Sequence, residues 1–340
     1  MEKIALTGLL PEEINEKLSL EQKFRGLQIF KWIGNGATSF DEMTNLSKET
    51  REFLSKNAVL YSSEISKVLK DPDGTVKLQI KLYDNNAVET VLLTDKEGRK
   101  TACVSCQAGC AMKCAFCMTG TLGLARNLEA NEIVEQFLFL EKECGHLDNI
   151  VFMGMGEPMQ NLKAIRKAIL ILTDKRGRNL SGRRITLSTS GVIKGIYDLA
   201  ENGPSIRLAV SLTTADEELR KEIMPVAIGN PLSELKKAIA FYSEKTGKRV
   251  TLEAALLKNK NTKKESADRM IDFAKGLNVN INLIPWNPVP GLKFEEPETS
   301  EVKHFVSLLE DAGLNVTLRT RRGRKIGGAC GQLGKTDSNL

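Results

Sequence analysis

The period of apolar and polar positions changes twice along the chain. Near the start, Phe24, Leu27, Phe30 and Ile33 recur at helical spacing, and Thr44-Asn45-Leu46-Ser47 reads as a cap before a helix over Lys48–Lys56. Residues 1–60 are therefore expected to form a helical domain. The period then drops to two. Val76, Leu78, Ile80 and Leu82 alternate behind the turn Asp71-Pro72-Asp73-Gly74, and Asn85-Asn86 separates them from Val88–Leu93. This predicts a hairpin or small sheet within 61–97. Asp95-Lys96-Glu97-Gly98 reads as a boundary.

From residue 98 to 340 the chain repeats a strand-then-helix rhythm. Short β-rich runs fall at Thr101–Val104, Ile150–Met153, Arg184–Thr189, Ile206–Leu212, Arg249–Ala255, Val279–Ile284 and Val316–Arg319. Helical patterns lie between most of them, at Ala130–Cys144, Leu162–Thr173, Leu232–Thr246 and Lys263–Leu277. Such alternation predicts an α/β fold with a parallel sheet and helices outside. Six or so units suggest a closed or partly closed barrel; a doubly wound open sheet is the alternative. In either, sites gather at the carboxyl ends of the strands.

No apolar run reaches the length of about 18 residues that reads as a membrane span, and the first residues carry no leader pattern, so a cytoplasmic protein is expected. The formal net charge is only +6, but it is clustered. Lys175, Arg176, Arg178, Arg183 and Arg184 form one basic group, and Arg319, Arg321, Arg322, Arg324 and Lys325 another. Clusters of this kind suit a polyanion, RNA above all, or a solvated surface.

The densest chemistry lies in Cys110-Ala-Met-Lys-Cys114-Ala-Phe-Cys117. Structural zinc sites favour two cysteine pairs or a pair with two histidines. This chain has one triplet, and its histidines, His146 and His304, lie far from it in sequence. A [4Fe–4S] cluster is usually held by four thiolates, so a triplet would leave one iron open to a ligand.

The triplet resembles the signature of the radical S-adenosylmethionine (SAM) enzymes. Further stretches resemble the RNA adenine methyltransferases of the RlmN/Cfr type: Cys103-Val-Ser-Cys-Gln-Ala-Gly-Cys110, Arg126-Asn-Leu128, Phe152-Met-Gly-Met-Gly-Glu-Pro158, Ser188-Thr-Ser-Gly191 and Ala329-Cys-Gly-Gln-Leu333. Phe24–Ile29 and Thr38–Met43 resemble that family's N-terminal helical domain. The resemblance covers nearly the whole chain. It implies a partial (β/α)6 barrel and a [4Fe–4S] cluster on Cys110, Cys114 and Cys117, with SAM on the open iron. It implies methylation of C2 of adenosine in 23S rRNA, and in transfer RNA, by a cytoplasmic monomer that takes electrons from a donor such as flavodoxin. Cys330 would carry the methyl group, Cys103 would release the product through a transient disulfide, and Glu89 would take the proton leaving C2. Gly156, Glu157, Ser188, Ser211, Leu212, Thr213 and Asn287 would line the SAM site. Methylation at C8, the reaction of the family's resistance-conferring branch, shares the same thiols. A zinc-containing RNA-binding module without catalysis is the reading from a different class.

Two features depart from the family pattern. Thr213 stands where relatives usually have histidine, and Arg324-Lys325-Ile326-Gly327-Gly328 replaces a commonly acidic stretch. Cys106 and Cys144 receive no role.

Overall fold

The computed structural model describes residues 3–334; Met1, Glu2 and residues 335–340, the outer ends of the first and last expected domains, lie outside it. Three helices open the chain, α1 (Pro11–Lys17), α2 (Phe24–Gly34) and α3 (Lys48–Asn57). The apolar stripe on α2 buries Ile29, Phe30 and Ile33, while Phe24 at its start is 55% exposed. Ser47 caps α3 by accepting a hydrogen bond from Thr50 N, which satisfies one of the amides left open at a helix start. A short parallel ribbon, Ile4–Ala5 with Ala58–Val59, joins the two ends of this region.

Ten strands then form one sheet: β1 (Glu64–Lys70), β2 (Val76–Lys81), β3 (Ala87–Thr94), β4 (Lys100–Cys103), β5 (Asn149–Phe152), β6 (Ile185–Thr189), β7 (Arg207–Ser211), β8 (Val250–Leu256), β9 (Val279–Pro285) and β10 (Val316–Leu318). Neighbours in space are neighbours in sequence throughout. A doubly wound sheet reverses its strand order at a switch point; this one never reverses, so the winding is that of a barrel. It stays open, because β10 ends one edge and β1 the other. Strands β4 to β10 are parallel, and β1 to β4 run antiparallel. The hairpin is therefore continuous with the main sheet: Val91 pairs with Cys103.

Helices α4 (Ala130–Cys144), α5 (Leu162–Thr173), α6 (Ile193–Asn202), α7 (Glu217–Ile223), α8 (Leu232–Thr246), α9 (Lys264–Ala274) and α10 (Thr299–Asp311) connect the parallel strands. Helix α4 buries polar as well as apolar residues, because the N-terminal region and the strand connections press on it. Glu135, fully buried, accepts hydrogen bonds from Thr7, Ser62 and Ser63. Glu132, also buried, pairs with Arg126, which in turn reaches Asp84 in the β2–β3 turn. Buried carboxylates of this kind are tolerated only with such partners.

Candidate active site

The cysteine triplet lies just beyond the carboxyl end of β4. Gln107–Gly109 pairs with Leu124–Asn127 in a short antiparallel ribbon, and the loop between them carries all three thiols. Gly109 makes that closure possible. Its φ is +79°, and a Cβ there would stand 1.9 Å from Gly123 O, so a larger residue would force the ribbon apart. The loop is held from outside by Ala115 N to Ile223 O at 2.9 Å and by Trp286 Nε1 to Phe116 O at 2.8 Å.

Cys110, Cys114 and Cys117 all face one cavity at the carboxyl ends of the strands. Burial pushes the Cys110 thiol up to about 11 and Cys114 higher still, and the neighbouring thiols add to both shifts. Groups so disposed ionise readily only beside strong positive charge, which bound iron supplies. Among the described residues no three His, Cys, Asp or Glu side chains converge on one point as a single ion requires. Three thiols placed around a shared cavity fit a multi-iron cluster instead.

The same cavity has polar, incompletely bonded lining. Ser190 Oγ, Glu253 Oε1 and Asn287 Oδ1 are buried without a hydrogen-bond partner and belong to residues lining this cavity. Native structures rarely leave such atoms unmatched, so the wall fits a ligand carrying several donors, as SAM does. Ser188, Ser211, Thr213, Gly156 and Glu157 line the same space. Glu157 spends its carboxylate on Thr189 Oγ1 at 2.7 Å, Ser190 N at 2.7 Å and Met159 N at 3.0 Å. Burial raises its pKa against these donors. Leu212 lines neither cavity described here; its side chain is fully buried in the core. Thr213 adopts φ +59°, held by its N–H to Glu253 O at 3.0 Å and by Asn261 Nδ2 to its carbonyl at 2.8 Å.

A second cavity adjoins the first. Cys330 lines both, whereas Cys103 lines only the second. Cys330 is exposed, and Asn287 Nδ2 holds its carbonyl at 3.2 Å. The surrounding walls displace water and raise its thiol, while Arg319 pulls the other way. Cys103 is buried at the end of β4, and burial lifts it to about 12, with Cys330 adding to the rise and Arg319 opposing it. Arg319 acts on both thiols and lies 3.6 Å from the Glu253 carboxylate. Glu89 lines neither cavity; it is buried in an ion pair with Lys77. Cys106 and Cys144 also lie outside both linings.

The basic groups are less free than their spacing suggests. Arg176 pairs with Glu12 and Asp174, and Arg178 with Glu141. Arg321 and Arg324 share Glu296, and Arg322 donates to Asp73 O. Arg321 and Arg322 nonetheless line the second cavity beside Arg319, Lys96 and Arg99. Glu253 and Arg220 escape the sequence reading, and Ser190 enters it only within the stretch Ser188-Thr-Ser-Gly191. The only sign of Glu253 is that it is the one charged residue of Val250–Leu256. Arg220 is fully buried and donates to Ser190 O at 2.7 Å and Leu212 O at 3.2 Å, fixing two loops of the cavity wall. Burial lowers it to about 10, with the Cys114 charge opposing.

Comparison with known proteins bears on this geometry. Residues 104–274 match the model of the Radical SAM superfamily, and residues 12–60 match the ribosomal RNA large subunit methyltransferase N-terminal domain. A probable dual-specificity RNA methyltransferase RlmN of Treponema denticola is 61% identical over 98% of this chain and 96% of its own length. Its counterpart in Treponema pallidum (strain Nichols) is 56% identical over 98% of both chains. A crystal structure of a radical SAM methyltransferase from Sphaerobacter thermophilus superposes with a TM-score of 0.93 at 38% identity, covering 97% of this chain and 99% of that one.

Proposed function

The chain belongs to the RlmN family of radical SAM RNA methyltransferases, and we propose that it methylates C2 of adenosine in 23S rRNA and in transfer RNA. The observation that carries this reading is the position of Cys330, shared between the thiol-ringed cavity and the arginine-lined one. One cavity suits the methyl donor, the other an RNA base.

C2 of adenine is an electron-poor ring carbon without a lone pair, so direct polar transfer to it fails. Bound in the first cavity, the [4Fe–4S] cluster and SAM supply the methyl group and the one-electron chemistry that such a carbon needs. Cys110, Cys114 and Cys117 would hold the cluster. The oxygens of Ser190, Glu253 and Asn287 that lack hydrogen bonds would receive donors from SAM, with Gly156, Ser188, Ser211 and Thr213 beside them. Cys330 carries the methyl carbon to the ring. The Cys103 thiolate then attacks the Cys330 sulfur; the S–S bond forms as the S–C bond breaks, the S–C electron pair passes to the carbon on the ring, which takes up a proton to become the methyl group, and the methylated base leaves. Arg319 favours the thiolate at both sulfurs. A reductant reopens the disulfide for the next turnover.

Arg321 and Arg322 at the second cavity suit phosphate contacts, which position RNA without reading sequence, and residues 1–60 form the broader RNA grip. Glu89 can accept the C2 proton only if its present partners release it. An electron donor such as flavodoxin and action as a cytoplasmic monomer complete the proposal. Among the described residues no helix is long and apolar enough to cross a membrane.

The test is anaerobic incubation of cluster-loaded protein with unmodified rRNA or tRNA, labelled SAM and reductant, read by nucleoside mass spectrometry. The expected product is 2-methyladenosine. 8-Methyladenosine, or no product from fully loaded protein, overturns the reading. Cys330→Ala is expected to bind RNA without methylating it.

A further inference from the structure

A buried ion pair outside both cavities grips the Cys330 segment at two points. Lys77 on β2 and Glu89 on β3 are 2.7 Å apart, their side chains only 5% and 3% exposed. Lys77 Nζ also donates to Gly327 O at 3.3 Å, and Gly334 N donates to Glu89 Oε2 at 2.6 Å. Cys330 lies between these anchors. The turn before β2 grips the same segment further upstream: Gly323 N donates to Asp73 Oδ2 at 2.8 Å and Lys325 N to Asp71 Oδ2 at 3.1 Å.

The segment itself has little stiffness. Gly323, Gly327, Gly331 and Gly334 all have positive φ, and glycine surrenders more conformational freedom on ordering than any other residue. External contacts must therefore define where Cys330 sits. A buried ion pair contributes little net stability, because desolvation offsets the Coulomb attraction, but it can specify a unique arrangement. Both Glu89 carboxylate oxygens are engaged, one by Lys77 and one by Gly334.

We propose that the Lys77–Glu89 pair is a positioning device that holds the Cys330 segment at both ends, fixing the thiol where the two cavities meet. The inference rests on Cys330 being the methyl-carrying thiol. It makes Lys77 and Glu89 positioning residues that act through Cys330.

The test uses cluster-loaded full-length protein carrying Lys77→Met, Glu89→Ala or Glu89→Gln. Hydrogen exchange of peptides covering 326–334 is read against peptides of α4, alongside Tm and steady-state methylation. Lys77→Met and Glu89→Ala are expected to speed exchange of the segment by about fivefold, the factor that one lost net hydrogen bond represents. Exchange of α4 should be unchanged, and kcat should fall while KM for RNA holds. Glu89→Gln keeps a carbonyl for Gly334 N and should fall between these variants and wild type. Where a single variant fails to fold, Lys77→Met/Glu89→Gln removes both charges together and should show the same faster exchange. Wild-type exchange in folded Lys77→Met and Glu89→Ala overturns the inference. So does complete loss of turnover in Glu89→Gln with wild-type exchange, the pattern of a proton acceptor. Faster exchange in the variants, with no methylated base from wild type, counts against the proposed function alone.

Discussion

Ser188 donates a 2.9 Å hydrogen bond to one carboxylate oxygen of Glu253, and the other oxygen is buried without a hydrogen-bond partner. That second oxygen faces Arg319 at 3.6 Å, too far for a hydrogen bond, and so can still accept one from a ligand donor. Glu253→Gln keeps the shape and removes the charge. Hydrogen bonds to charged groups are worth about 1.5–3 kcal/mol, so SAM affinity should fall at least about tenfold. Calorimetric titration of the cluster-loaded variant checks this; unchanged affinity would remove Glu253 from the site.

Cys103 should be slow to react at neutral pH. Burial lifts its thiol to about 12, and the thiolate is the nucleophile. A raised thiol pKa means less thiolate at any lower pH, so the alkylation rate should climb about tenfold per pH unit from 7 to 10. Mass-spectrometric labelling of the Cys103 peptide is the readout. A plateau near pH 8 would contradict the buried setting.

Thr213 is a β-branched residue at φ +59°, a conformation disfavoured for L residues by about 1–2 kcal/mol. Asparagine tolerates it better because its short polar side chain bonds locally. Thr213→Asn should therefore stabilise the fold by about 1 kcal/mol, seen as a higher denaturant midpoint. A lower midpoint would mean that the threonine contributes contacts outweighing the strain.

Glu135 joins the N-terminal region to α4 through Thr7, Ser62 and Ser63. Glu135→Ala leaves several buried donors unmatched. Each costs about 1–3 kcal/mol, so a loss of at least about 3 kcal/mol is expected in equilibrium unfolding. A loss under about 1 kcal/mol would show that water replaces the carboxylate.

What could be read before the structure depended on how local the signal was. Cys110, Cys114 and Cys117 sit within eight residues, so spacing alone fixes their company. The strand rhythm likewise marked each parallel strand, though not that the β1–β3 meander continues the same sheet. Glu253 and Arg319 were hidden because the curvature of an open barrel decides which side of a strand looks inward. Arg319 in particular looked like one charge among five. Leu212, expected at the SAM site, is fully buried in the core just past the end of β7. The buried Asn131 and Glu135 of α4 were illegible for a related reason: their partners lie 69 or more residues away in sequence.

The ring of three thiols holding one cluster is tested most directly by counting iron and sulfide in protein isolated without oxygen. The account predicts about four of each per chain, lost when Cys110, Cys114 or Cys117 is replaced by alanine. Zinc in their place, or a chain that takes up no iron on reconstitution, would contradict it.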